Sequence, residues 1–315
     1  KDLIINIKTI NKKLKPDLWI TDTGNILSKV NMKTIKVTFK HSVPYKKYFL
    51  ADNIFDYDYV FIPGEYHFNR IISFYKEKKK ELEKKLVILP SPKIISYVRL
   101  KRDFLTKKDF CKKYSLDIDK EIVVLATTHD SFRNKKFLPE NFGSEISALK
   151  KLCSIITIEN NFNFIIKSHH YNNNRLVDPK FTFLNEFQNV HVFKSNKNFD
   201  SLESEEVFFH SYIVITDTSG VGPLCCYLDK KMIYLNPDMP FNWDTSDIEK
   251  KMRPGFILNQ IDETNQILKE YTNKPYLFSE ERKKFAKKIF KYSEEENFGM
   301  IKSKIKKILN EKNIL

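Results

Sequence analysis

The chain has 315 residues, 41% of them hydrophobic and 14% aromatic, which excludes a disordered or low-complexity protein. Its 55 lysines and arginines outnumber 40 aspartates and glutamates, giving a formal net charge of +15 that suits a phosphorylated substrate, an anionic membrane surface or a nucleic acid. The four cysteines (Cys111, Cys153, Cys225, Cys226) have neither disulfide-framework nor zinc-ligand spacing and point to a reducing, cytoplasmic compartment, and no apolar run reaches the ~20 residues of a membrane span.

The first 90 residues carry short apolar runs of strand length: LIINI (3–7), LWIT (18–21), TIKVTF (34–39), YVFI (59–62) and LVIL (86–89). Between the last two, a lysine-rich segment from Tyr66 to Lys85 has the pattern of one helix with a solvated face. Strand character is then lost, and KRDFLTKKDFCKKYSL (101–116) reads as a helix in a connecting region. A second series follows: EIVVLATT (121–128), a helix near 141–160, NFIIKS (163–168), NVHVF (189–193), a helix near 199–210, YIVITD (212–217), a helix from Val221, and KMIYL (231–235). Alternating strands and helices predict parallel sheets with crossover helices, here in two tandem α/β units. From Ser279 onward, Phe285, Ile289, Phe290, Ile301, Ile305 and Ile308 recur at helical spacing among lysines. They predict two amphipathic helices packed by their apolar faces, with peripheral membrane contact as the minority reading.

Three strand ends carry polar groups suited to anions or proton transfer. TIKVTF runs into HSVPYK, where His41 is the side chain best able to take a hydroxyl proton near neutral pH and Lys46 is a reachable cation. IIKSHH ends in Lys167, His169 and His170, whose ammonium and imidazole N–H groups can donate to anionic oxygens. ITDTSGVG places Asp217, Thr218, Ser219 and Gly220 between a strand and an apolar helix, and two of only seven glycines fall there. Such a turn can present backbone N–H groups to a phosphate; an ordinary loop with Asp217 or Ser219 as helix cap is the alternative. Thr127, Thr128 and Arg133 in LATTHDSFR, and Asp238 in YLNPD, also follow strands. His67 sits at a helix start and reads as structural. No metal site is expected, because histidines and cysteines do not cluster at ligand spacings.

Taken in order, HSVPYK, IKSHH, ITDTSGVG and DKKMIYLNPD, with the linking stretch YDYVFIPGEYHFNRI, resemble the CDP-glycerol glycerophosphotransferase family, the teichoic-acid primases and polymerases. The resemblance implies a GT-B fold, two Rossmann-like domains facing across a cleft. It places an acceptor domain at 1–110, a nucleotide-donor domain at 111–278 and C-terminal helices at 279–315. It further implies metal-free, cofactor-free transfer of glycerol or ribitol phosphate from a CDP-activated donor to a hydroxyl of a cell-surface glycan or its lipid-linked precursor. His41 would be the base, His169, Thr218 and Ser219 would hold the pyrophosphate, Asp217 would shape that loop, and N–H groups near Gly220 would neutralise the leaving CMP. The chain departs from the family pattern in several places. Ser42 stands for a glycine, His170 for a proline and Gly220 for a second serine; no acid follows the loop until Asp229, and LPSPKIISY replaces a GYPRND-like stretch.

A GT-B glycosyltransferase using a nucleotide sugar, as in capsule or lipopolysaccharide synthesis, is the alternative enzyme. A nucleic-acid binder is disfavoured, since no such motif is present and the basic residues are dispersed. The expected partners are therefore a nucleotide-activated donor, a glycan or lipid-linked acceptor and the inner face of the membrane.

Overall fold

The computed structural model describes residues 17–21, 33–40, 52–127, 145–167, 179–193, 201–217, 220–235, 253–291 and 298–312. The first sheet holds β1 (Leu18–Thr21), β2 (Ile35–Phe39), β3 (Tyr59–Ile62) and β4 (Leu86–Ile88), all parallel and in that order. These are the runs expected from the sequence, while LIINI lies outside the described residues. The segment 66–85 is not one helix but two, α1 (Glu65–Phe74) and α2 (Lys79–Lys85), separated by a 3-10 turn at Lys76–Lys78. Tyr75 breaks the run: its ring stands edge-on to Phe55 with centroids 5.1 Å apart, and its backbone leaves the helical region at φ −108°, ψ 52°. Ile71 and Leu82 pack with Val60, Ile62 and Leu86 on one face of the sheet.

The connection to the second sheet contains α3 (Pro92–Leu100) and α4 (Lys107–Lys113). The sequence reading missed α3, although Ser91 followed by Pro92 is a helix-start signal. It also ran the second helix too long at its start: Thr106 caps α4 by accepting the Asp109 N–H at 3.2 Å, so Phe104 and Leu105 stay outside. Adjacent residues of α3 bury in opposite directions, Ile95 into the first sheet's core and Ile94 into the second's.

The second sheet comprises β5 (Ile122–Ala126), β6 (Asn163–Lys167), β7 (Val190–Phe193), β8 (Ile213–Thr216), β9 (Lys231–Leu235) and β10 (Phe256–Leu258), with order β10-β9-β8-β5-β6-β7 and every pairing parallel. Strands covered on both faces read as unbroken apolar runs, as IVVLA and IVIT do. Helix α5 (Glu145–Cys153) continues into a π-helical segment at Ser154–Glu159, α6 (Ser201–His210) leads into β8, and α7 (Val221–Tyr227) follows it. The sequence reading named neither β10 nor the next helix, α8 (Glu263–Asn273). The strand is only three residues long after Pro254-Gly255, whereas α8 does carry a buried stripe at helical spacing (Thr264, Ile267, Leu268, Tyr271) that was there to be read.

Helices α9 (Ser279–Ile289) and α10 (Phe298–Glu311) bury the apolar stripes expected of them. Phe285 and Ile289 enter the second sheet's core, whereas Ile301 and Ile308 cross back to cover Ile35, Val37 and Phe61 of the first. Among the described residues no helix is long and apolar enough to cross a membrane. The return passes Gly64, which precedes α1. A Cβ there would fall on the Ile289 carbonyl, 2.7 Å from its carbon and 2.7 Å from the Lys288 oxygen. Nearby, the Lys291 N–H donates to the Pro63 carbonyl at 2.9 Å. Replacing Gly64 with alanine should therefore force α1 and α9 apart and cost about 1–3 kcal/mol. Thermal unfolding would show this as a Tm several degrees lower; an unchanged Tm would mean that the two helices do not need to approach so closely.

Candidate active site

The second sheet's strand order reverses direction between β5 and β8, and in such sheets ligands settle outside the carboxyl ends of the strands at that switch point. The side chain of Thr216, last in β8, is buried there and donates a hydrogen bond to the Ala126 carbonyl, last in β5, at 2.6 Å. This ties the two strand ends together. Three of the sequence-predicted positions converge on this edge: Thr127 follows β5, Lys167 ends the neighbouring β6, and Asp217 follows β8, buried at 3% exposure. Gly220 stands just beyond, as the residue before α7.

The structure does not require glycine at position 220. Its backbone sits at φ −60°, ψ −9°, open to any residue, and among the described residues nothing lies within 4 Å of where a Cβ would be. The serine usual in the resembled motif would fit. His41, Lys46, Thr128, Arg133, His169, His170, Thr218, Ser219 and Asp238 lie outside the described residues. For His41 the preceding residue is informative. The Lys40 N–H donates to the Phe61 carbonyl at 2.9 Å, so β2 reaches the carboxyl edge of the first sheet directly before the histidine.

Lys167 is more enclosed than a strand-end cation need be. Its amino group stands 5.6 Å from the Phe208 ring centroid and 6.0 Å from that of Phe193. Burial pulls its pKa down to about 8, with Lys93 adding to the fall and Glu205 opposing it. Lys93 of α3 and Glu205 of α6 are polar neighbours that the sequence did not single out, being lone charges inside helical segments. Asp229, the first acid after the ITDTSG loop, is not part of this edge. It adopts a left-handed φ of 52° at the far end of α7, where its carboxylate accepts from Arg282 Nε at 2.7 Å and from Ser279 Oγ at 2.7 Å. His67 is buried in α1, as a structural histidine would be. All four cysteines are buried free thiols, and among the described residues no group of histidine, cysteine and acidic side chains could hold a metal ion.

Two parallel α/β units, the second with its switch point at β5 and β8 and the last helix returning to the first, define the GT-B fold. Solved structures with this fold include the wall teichoic acid polymerase TagF, 16% identical with a TM-score of 0.63, over 94% of this chain and 74% of that one. A histidine-to-asparagine variant of TagF soaked with CDPG aligns at 16% identity and TM-score 0.61, over 94% of this chain and 72% of that one. The S. aureus MnaA–UDP structure aligns at 15% identity and TM-score 0.61, over 96% and 77%. No curated protein matches the chain. The sequence model of the CDP-glycerol:poly(glycerophosphate) glycerophosphotransferases matches residues 21–306, and the chain belongs to that family. It is a transferase of the CDP-glycerol glycerophosphotransferase type.

Proposed function

We propose that the chain moves glycerol phosphate or ribitol phosphate from its CDP-linked donor to a hydroxyl of a cell-surface glycan or of that glycan's lipid-linked precursor. The observation that carries this reading is the family match over residues 21–306, within which HSVPYK, IKSHH and ITDTSG follow β2, β6 and β8 in turn. The acceptor oxygen attacks the phosphorus that bears the polyol and gives its proton to His41. The bond from that phosphorus to the oxygen bridging to CMP breaks, and CMP leaves with the electron pair. Lys46, Lys167, His169, His170, Thr218, Ser219 and the backbone at Gly220 hold the pyrophosphate and offset the charge that builds on the leaving phosphate. Thr127, Thr128, Arg133, Asp217 and Asp238 complete the donor pocket. With this many cationic and N–H donors, the reading calls for no resident metal or cofactor. A lipid-linked acceptor would bring the enzyme to the inner face of the membrane. The exposed lysines of α9 and α10 (Lys283, Lys284, Lys287, Lys288, Lys302, Lys306, Lys307) suit an anionic surface there.

Thermal shift with a donor panel tests the reading. CDP-glycerol or CDP-ribitol should raise Tm in a concentration-dependent way, because a ligand that binds only the folded state stabilises it by mass action. UDP- and CMP-linked sugars should do much less. A larger shift with a nucleotide sugar would replace this reading with that of a glycosyltransferase.

A further inference from the structure

The least expected charges in the molecule lie just inside the donor edge. Glu205 projects from α6 with its side chain only 12% exposed, and one carboxylate oxygen lies 4.0 Å from Lys93 Nζ at the start of α3. Its other oxygen, Oε2, is enclosed and has no hydrogen-bond partner among the described residues. Lys167, at the end of β6, feels the Glu205 charge from between the rings of Phe193 and Phe208. A carboxylate enclosed this far is costly unless cations compensate it. The two lysines that do so come from different places, one from the connection between the sheets and one from the strand that ends at the proposed donor pocket.

We propose that Glu205 is a positioning residue for donor binding: paired with Lys93, and one turn before Phe208, whose ring flanks Lys167, its carboxylate fixes the cation at the end of β6 against which the donor's phosphates dock. This rests on the donor reading above, and Glu205 itself touches no substrate. Helix α6 is held rigidly for the task. The neighbouring Glu206 accepts the Leu105 N–H at 2.5 Å, and one turn later His210 Nε2 contacts the Leu105 carbonyl oxygen at 2.9 Å. Both backbone groups of one connector residue are thus gripped by side chains four apart on α6, while Glu205 engages Lys93 in the same connection.

The consequence is a pH limit set by a neighbour. Lys167 faces Lys93 from α3, Glu205 from α6 and Cys225 from α7. Burial holds its pKa near about 8, and Glu205 resists that fall. Above this pH Lys167 loses its charge, so donor affinity should decline there. Without the carboxylate the decline should begin at lower pH.

The test is calorimetric titration of CDP-glycerol between pH 6.5 and 9, together with NMR titration of the Lys167 side chain in lysine-labelled protein. Both are run on wild type, Glu205→Gln and Glu205→Asp. In Glu205→Gln, Lys167 should titrate at a visibly lower pH. The donor should bind several-fold more weakly near pH 8 yet within about twofold of wild type at pH 6.5, where Lys167 is charged in both. Glu205→Asp should restore most of the alkaline limit. Equal weakening of binding at both pH values would mean a merely structural role and overturn the proposal, as would a Lys167 titration unmoved in Glu205→Gln. If wild type does not bind CDP-glycerol at all, the donor assignment falls, and the Lys167 titration alone decides whether Glu205 governs that cation.

Discussion

Alanine in place of His41 should slow transfer by about 100- to 10,000-fold, the usual worth of a positioned general base, while CDP-donor affinity stays close to wild type. The division follows from the roles proposed for the two halves. The base serves the acceptor from the end of β2, whereas the donor is held mainly by groups at the ends of β5, β6, β8 and β9, with Lys46 the one contribution from the first half. Single-turnover transfer with radiolabelled CDP-glycerol, paired with calorimetric donor binding, separates the two effects. Near-normal turnover would remove His41 from the base role. Loss of donor binding in step with turnover would move it into the donor pocket.

The second large effect concerns stability. Arg282 is 1% exposed, and its guanidinium donates from Nε to Asp229 and from Nη1 to the Leu277 carbonyl at 2.8 Å. The pair joins α9 to the turn that ends α7. Asn at position 229 would tolerate the left-handed backbone as aspartate does, so Asp229→Asn isolates the charge. Stranding a buried guanidinium costs roughly 3–5 kcal/mol. Because the Asp229 side chain is 40% exposed, the lower end of that range applies. Urea unfolding should show a clear fall in midpoint for Asp229→Asn. The double variant Asp229→Asn/Arg282→Met should recover part of it, since the charge left without its partner is then gone. A midpoint unchanged by Asp229→Asn would mean that solvent already compensates the arginine.

The sequence showed most plainly what repeats. IVVLA, FII and IVI are unbroken apolar runs because their strands are covered on both faces, and TIKVTF, IVVLA, NFIIK and IVIT each lead into polar residues that the parallel topology brings to the carboxyl edge of their sheet. What stayed hidden has physical reasons. Helix α3 splits its apolar residues between two cores, so Ile94 and Ile95 form no stripe on one face. Strand β10 is three residues long and, among the described residues, pairs only with β9. Glu205 and Lys93 are 112 positions apart (205 − 93), and nothing local marks a pair made by the meeting of α3 and α6. Gly220 misled in the other direction: a glycine beside a phosphate-suited loop suggested a backbone need that its right-handed conformation does not have.

The return of α10 to the first sheet also sets an order of events during synthesis. The second sheet's strands lie within residues 122–258 and can pair as soon as that stretch has left the ribosome. The first sheet cannot finish so early, because the face bearing Ile35, Val37 and Phe61 is covered by Ile301 and Ile308. Of the two sheets, the one translated earlier is thus completed later. Until then an apolar sheet face waits uncovered on the nascent chain, so of the two sheets the first is the more open to misassembly during synthesis.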